Sequence, residues 1–255
     1  MDKIALIPDL HCGDEDRRAI ALACSVVAHF APDRVIFLGD ILDAGWASRW
    51  PQNQSEIKGI VKREKEAWYL AARSFIDAAP KAKRDAVPGN HDWRVVTGFA
   101  WSHPEFDGDE AVSLPHILKL KEFGIEWHEK PAAIFLAGKN FVATHGNRIA
   151  KHSGGSANLE LCEEWWCSGI SAHTHRMGQI YRTTHRGVFC WTEGGHLSNP
   201  LPKYVPVNKV APLNWQQGIV LMEAGNSEFR APILVPFWRK ARRLRARFDG
   251  KEFME

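Results

Sequence analysis

Through the first half of the chain, short apolar runs alternate with longer segments whose apolar residues recur at helical spacing. Residues 4–7 (Ile-Ala-Leu-Ile) are continuously apolar and stop at Pro8, the signature of a buried strand entering a loop. Residues 14–30 carry Ile20, Leu22, Ala23, Val26, Val27 and Phe30 on one side, with acidic residues at the start that suit a helix N-terminus. Residues 34–38 predict a second buried strand, stopped by Gly39. Residues 54–79 place Ile57, Ile60, Val61, Trp68, Ala71, Phe75 and Ile76 on one helical face before Pro80, and residues 85–87 predict a short strand running into Pro88-Gly89.

The alternation then loosens. Helices are predicted near residues 114–123 and 156–166, and strands near 125–128, 132–136, 141–144, 168–172, 179–183, 188–192, 218–222 and 229–235. Residues 95–111 and 197–214, the latter with four prolines, read as long loops of the length that functional loops have. Strand-loop-helix alternation followed by a strand-rich second half predicts a mixed α/β protein with two packed sheets.

Five clusters of Asp, His and Asn each follow a predicted strand. They are Asp9-Leu10-His11, Gly39-Asp40-Ile41-Leu42-Asp43, Gly89-Asn90-His91-Asp92, Thr144-His145-Gly146 and Ala172-His173-Thr174-His175. Any one of them is ordinary turn chemistry. Five in this order, each at a strand end, are not. Carboxylate, imidazole and amide oxygen together suit Mn2+, Fe2+ or Zn2+, and strand ends meeting at one sheet edge would bring them to a single site.

In these residues the chain resembles the calcineurin-like metallophosphoesterase superfamily, whose pattern is D-x-H, G-D-x-x-D, G-N-H-D/E, an isolated H before G, and G-H-x-H. The match runs from Asp9 to His175. The resemblance implies a four-layer αββα sandwich, two mixed β-sheets flanked by helices, as one domain over residues 1–255. It implies two divalent cations, Mn2+ before Fe, Zn or Ni, with Asp9, His11 and His175 on the first, Asn90, His145 and His173 on the second, and Asp40 bridging. His91 would then face the leaving group as general acid, with Asp43 orienting its imidazole and Asp92 bracing the loop. Two cations about 3.5–4 Å apart would activate water for in-line attack on phosphorus. Two departures from the usual residues stand out, the second of which bears on substrate. Ala172 replaces the usual Gly, a change that leaves both following histidines able to ligate. Ala44 stands where phosphoserine/threonine phosphatases of the superfamily have Arg, which shifts weight from phosphomonoesters to phosphodiesters. His91 stands where the lipid A pathway pyrophosphatases have Arg.

Composition changes the picture in three places. The net charge of +3 excludes a uniformly basic coat, yet six of the nine residues 239–247 are basic and the tail 236–255 carries a net +4. That run reads either as a solvated helix end or as a phosphate-tracking patch. Of the twelve histidines and eleven tryptophans, Trp46, Trp50, Trp93 and Trp101 lie near the motifs, and Arg94, Arg148, Arg176 and His196 are candidate substrate contacts. Five scattered cysteines without a C-x-x-C pair predict a reducing compartment, the cytoplasm, and no segment has the apolar length of a membrane span. The expected activity is hydrolysis of a phosphoester substrate, above all a phosphodiester of a nucleotide or nucleic acid. The alternatives are a phosphomonoesterase or dinucleoside polyphosphate hydrolase, and a silent scaffold, against which the complete ligand set speaks.

Overall fold

The computed structural model describes residues 1–47, 58–102, 104–106, 108–152, 154–201 and 213–255. In chain order the elements are β1 (Asp2–Ile7), α1 (Arg17–Phe30), β2 (Arg34–Phe37), α2 (Ile60–Ala78), β3 (Lys83–Ala86), α3 (Asn90–Ser102), α4 (Leu114–Ile117), β4 (Ile125–Trp127), β5 (Ala133–Leu136), β6 (Phe141–Thr144) and α5 (Gly155–Leu159). A π-helical segment Glu160–Trp165 follows, then β7 (Ser168–Ser171), β8 (Met177–Thr184), β9 (Gly187–Gly194), β10 (Gly218–Ala224), β11 (Ile233–Pro236), β12 (Trp238–Lys240), β13 (Arg243–Phe248) and β14 (Lys251–Met254).

Two mixed sheets pack face to face. The first has the order β11-β10-β1-β2-β3-β4 and the second β5-β6-β7-β9-β8. Strands buried on both faces explain the continuous apolar runs. On β1, Ile4 and Leu6 enter the core between the sheets, while Ala5 and Ile7 face the outer core under α1 and α2. On β2, Ile36 points between the sheets, and Val35 and Phe37 point outward, Phe37 meeting Trp68 and Phe75 of α2 edge-to-face. The outer face of the second sheet is covered by α5 and the π-helical segment, with Val142, Ala157, Leu161 and Trp191 in contact.

The structure departs from the expected elements in four places. Much of the expected loop 95–111 is α3, which starts at the Asn90 motif itself. The helix expected over 114–123 stops after Ile117, and Lys119 takes a left-handed φ of 55° that ends helical propagation. The strand expected over 229–235 is reduced to β11, with Phe229 in an isolated bridge to Ala224. Most consequentially, the basic run is not a helix end: β12, β13 and β14 form an antiparallel three-stranded sheet. Arg243-Leu244-Arg245-Ala246-Arg247-Phe248 alternates with period two, so Leu244 and Ala246, with Phe253 of β14, bury against the outer core while the arginines face away. Residues 54–57 of the long helix, Trp50, His103 and 202–212 of the proline-rich loop lie outside the described residues, as does the Trp101 side chain.

Candidate metal centre

Within the sheets, β1, β2 and β3 run parallel, as do β6, β7 and β9. Their C-terminal ends carry Asp9 and His11, Asp40 and Asp43, Asn90 and His91, His145, His173 and His175, and His196 respectively. Face-to-face packing brings these loops together. The Asp40 carboxylate sits at the middle, its Oδ2 3.5 Å from both His11 Nε2 and His145 Nε2. Two donor groups result: Asp9, His11 and His175 on one side of Asp40, and His145 with His173 on the other. Asn90 joins the second, with Oδ1 2.7 Å from His173 Nδ1 and 3.0 Å from His145 Nε2.

The donors fit cations. Asp9 is fully buried and neither carboxylate oxygen has a hydrogen-bond partner. His11 Nε2 lies 3.0 Å from His175 Nε2, and His145 Nε2 lies 3.2 Å from His173 Nδ1. Such nitrogen pairs face each other at this range only where a proton or cation stands nearby. Tautomers are held from behind: His145 Nδ1–H donates to the Leu38 carbonyl at 2.8 Å and His11 Nδ1–H to Asp43 Oδ1 at 3.2 Å, leaving each Nε2 turned inward. Burial, followed by Asp40, pushes Asp9 well above the ordinary carboxylate range. Burial opposes ionisation of Asp40 too, but His145, His91 and His11 hold it down to about 2. His11 rises to about 9 against its burial, through the Asp43 hydrogen bond and the charges of Asp40 and Asp9. Burial lowers His173 to about 4 and His175 well below its ordinary value, which keeps both imidazoles in the neutral form a ligand needs.

Five of these residues have left-handed backbones: φ is 28° at Asp9, 46° at His11, 47° at Asp40, 66° at His173 and 58° at His175. Such strain persists only where the surroundings over-determine it. Buried carboxylates supply that constraint. Asp92 accepts from the amides of Gly89 (2.9 Å), Ile41 (3.1 Å) and Leu42 (3.3 Å), tying the Asp40 and Asn90 loops together, as its bracing role requires. Glu160 accepts from the amides of Asn147 (2.9 Å) and Arg148 (3.1 Å) beyond His145. Glu193 accepts from Thr174 Oγ1 at 3.0 Å between His173 and His175. At Gly89 a Cβ would lie 2.2 Å from Asp40 N, so only glycine permits this approach of the two loops.

The remaining candidates divide. His91 is on the site, with Nε2 4.0 Å from Asp40 Oδ2 and Nδ1 2.5 Å from the Asp43 carbonyl oxygen. Asp43 thus holds His91 mainly by its main chain, its carboxylate being closer to His11 (3.2 Å) than to His91 (3.7 Å). Arg94 Nη1 lies 3.2 Å from His91 Nδ1. Arg148 instead faces Glu163 (3.3 Å) and Glu164 (3.7 Å), and Arg176 is taken up by the carbonyls of Ala150 (2.7 Å) and Leu213 (3.4 Å). His196 stands behind His175, stacked on it at 4.9 Å and 20° with Nδ1 2.7 Å from Ser198 Oγ, and Trp215 closes on His175 edge-to-face at 4.4 Å. Trp46 is structural, its indole donating to the buried Glu64 at 2.8 Å. A cleft of about 340 Å³ opens over Asn90 and His145, walled by Trp93 and Trp165. Glu160, Glu193, Trp165 and Trp215 were not singled out from sequence; a Glu within the buried strand β9 was the one visible signal.

The sequence model of the calcineurin-like phosphoesterase family matches residues 2–204. The chain belongs to the calcineurin-like phosphoesterase family. With the donor groups above, it is a metal-dependent phosphoesterase. This phosphoesterase is 26% identical to the Gene 54 proteins of Mycobacterium phages D29 and L5, over 251 and 247 residues, matches that cover 92% of this chain and 93% of each relative. Among solved structures it is similar to Yfce, a phosphoesterase from E. coli, at 13% identity and a TM-score of 0.40 over 91% of this chain and 98% of that one. It is also similar to TT1561 of Thermus thermophilus, at 11% identity and a TM-score of 0.37 over 88% and 98%. Among the described residues no helix is long and apolar enough to cross a membrane.

Proposed function

We propose that this phosphoesterase hydrolyses phosphodiesters of nucleotides or nucleic acid with two divalent cations, Mn2+ before Fe, Zn or Ni, in the cytoplasm. The observation that carries the two-cation reading is Asp40, whose Oδ2 stands 3.5 Å from a histidine of each donor group. Asp9, His11, His175 and Asp40 would hold one cation, and Asp40, Asn90, His145 and His173 the other. When bound, the cations supply electrophilic charge to the phosphoryl oxygens and acidify water. With Nδ1–H engaged by the Asp43 carbonyl, the His91 ring presents Nε2 to the leaving-group oxygen, and it would donate from there as the imidazolium, since the neutral ring with its proton on Nδ1 leaves Nε2 bare. Arg94, beside the same ring, binds a non-reacting phosphate oxygen.

Two features support diesters over monoesters. A monoester phosphate carries a second negative charge that needs its own cationic grip. Ala44, at the position where an Arg would supply it, is fully buried, and with Arg148 and Arg176 engaged elsewhere and no Lys or Arg in the described cleft lining, Arg94 alone of the candidate arginines stands beside the site, enough for one phosphate oxygen and not for a second charge. Free thiols at all five cysteines support a reducing compartment. The test is the rate on bis-p-nitrophenyl phosphate against p-nitrophenyl phosphate with Mn2+, repeated after chelation. A faster diester reaction that chelator abolishes is expected. A strong monoester preference would overturn the substrate class, and chelator-insensitive turnover would overturn the metal reading.

A further inference from the structure

The sheet β12-β13-β14 has an inner face that the core explains and an outer face that it does not. Cross-strand pairing places Trp238, Lys240, Arg243, Arg245, Arg247, Glu252 and Met254 on the outer side. Arginines recur at every second position of β13, a spacing of about 6.8 Å. Glu252 neutralises only part of this charge: it pairs with Arg245 and lies 3.9 Å from Arg247. Lys240, Arg242 and Arg243 have no acidic partner within ion-pair distance among the described residues.

Protection of an open sheet edge is the plain alternative, since a lysine or two on an edge strand discourages strand pairing. It does not account for the register. Lys240 stands directly opposite Arg243, and like charges directly opposite one another destabilise a sheet. Nor does it account for Trp238, 38% exposed and opposite Arg245 on the same face. A polyanion that also offers flat apolar rings would relieve the first and cover the second.

The face is tied to the metal centre. Arg239, on the inner side, donates to Asp16 Oδ2 at 2.7 Å, and Asp16 caps α1 just beyond the Asp9–His11 loop. Gln217, bonded to the same carboxylate at 3.1 Å, also donates to the Ser198 carbonyl beside His196.

We propose that this outer face, with Arg242 of the β12–β13 turn at its rim, is a docking surface for single-stranded nucleic acid, with Lys240, Arg242, Arg243 and Arg247 on phosphates and Trp238 stacked on a base. A single strand is favoured over a duplex because only unpaired bases offer a ring face to Trp238. The choice of nucleic acid among polyanions rests on the phosphodiesterase reading above, whereas binding itself can be measured without turnover.

The experiment is fluorescence anisotropy of a fluorescein-labelled twenty-residue oligothymidylate titrated with the full chain in EDTA, across a salt series. Four phosphate contacts predict a log–log salt slope of roughly −3. The triple variant Lys240→Gln/Arg243→Gln/Arg247→Gln should lower that slope by about 2 units and weaken binding roughly 100-fold at 0.1 M salt. Trp238→Ala should weaken binding at least about fivefold with the slope unchanged. Circular dichroism and melting temperature report whether each variant is folded; if the triple variant does not fold, the wild-type slope and Trp238→Ala decide. The proposal is overturned by absence of wild-type binding at low salt, by a variant that binds as wild type does, by equal affinity for the matching duplex, or by tighter binding to phosphatidylserine vesicles. Because EDTA removes hydrolysis, a binding failure leaves the phosphodiesterase reading standing, and failure on the chromogenic diester leaves this measurement intact.

Discussion

Glu160→Gln tests whether buried carboxylates hold the strained ligand loops. Glu160 is 1% exposed; its Oε1 accepts from the amides of Asn147 (2.9 Å) and Arg148 (3.1 Å) and its Oε2 from the Trp165 indole (3.1 Å). Charge-assisted bonds contribute about 1.5–3 kcal/mol against about 0.5–1.5 for neutral ones, so the amide weakens the two loop bonds by roughly 1 kcal/mol each. Its NH2 then meets the indole N–H, donor against donor, and an unsatisfied buried donor costs about 1–3 kcal/mol more. The expected total is about 3–5 kcal/mol, a melting temperature lower by about 6–20 °C at 2–4 °C per kcal/mol. Because the same loop carries His145, metal affinity should fall roughly 10–100-fold. Differential scanning calorimetry in chelator reads the first effect and isothermal titration with Mn2+ the second. Trp165→Phe sharpens the test: costly in the wild-type background, it should recover about 1–2 kcal/mol in the Gln variant by removing the stranded indole N–H. A Glu160→Gln protein that melts within about 1 °C of wild type, or that binds Mn2+ unchanged, refutes the account.

Four further outcomes follow from the same geometry. His91→Asn should retain both metal equivalents by elemental analysis yet lose about 10²–10⁴-fold in turnover on diesters with poor leaving groups and far less on p-nitrophenyl esters; collapse of metal binding would make His91 a ligand instead. His196→Ala removes the ring stacked on His175 and should weaken Mn2+ binding about tenfold by calorimetry, while His196→Phe, which keeps a ring there, restores most of it; equal affinities in all three proteins would remove any positioning role. Glu64 is raised to about 8 by burial and by Asp43, so the folded state keeps a proton that the unfolded chain releases near 4.5, and stability falls as pH rises from about 4.5 to 8. Denaturant midpoints from pH 5 to 9 should therefore decline more steeply in wild type than in Glu64→Gln, by a few kcal/mol over the window, and parallel curves would contradict the shift. Chelation should lower the melting temperature by about 5–10 °C, as loss of cations held at 100-fold over Kd would; an unchanged transition would mean that Asp9 is satisfied without them.

Legibility followed the range of the interaction. Ile4-Ala5-Leu6-Ile7 announced its strand because burial on both faces leaves no polar position, and the donors were visible because each motif packs its chemistry into two to five consecutive residues. Local wording also misled. Arg148 and Arg176 sit one to three residues from proposed ligands, yet their guanidiniums are committed to Glu163, Glu164 and the Ala150 carbonyl, partners that adjacency in sequence does not specify. The division of Asp43, carboxylate toward His11 and carbonyl toward His91, depends on a loop trajectory that no residue pattern encodes. The tail misleads for a different reason: six basic residues among nine point to charge, while the period-two placement of Leu244 and Ala246 between arginines carries the structure.

That placement also changes how the tail must be tested. If the basic run were a solvated appendage, deleting residues 236–255 would leave a folded enzyme and isolate the electrostatic contribution. Leu244, Ala246 and Phe253 are buried in the outer core against α1, however, and Arg239 anchors the carboxylate that caps α1, whose preceding loop carries Asp9 and His11. Deletion would open a cavity beneath α1, at about 2–5 kcal/mol for each large apolar side chain lost, and would loosen the ligand loop at the same time. A truncated protein that failed to act on a polymer would then be silent about docking, because the same cut damages the metal centre. Substitutions confined to the outer face separate the two, since the alternation that hid this sheet within a basic sequence also assigns core and charge to opposite sides of it.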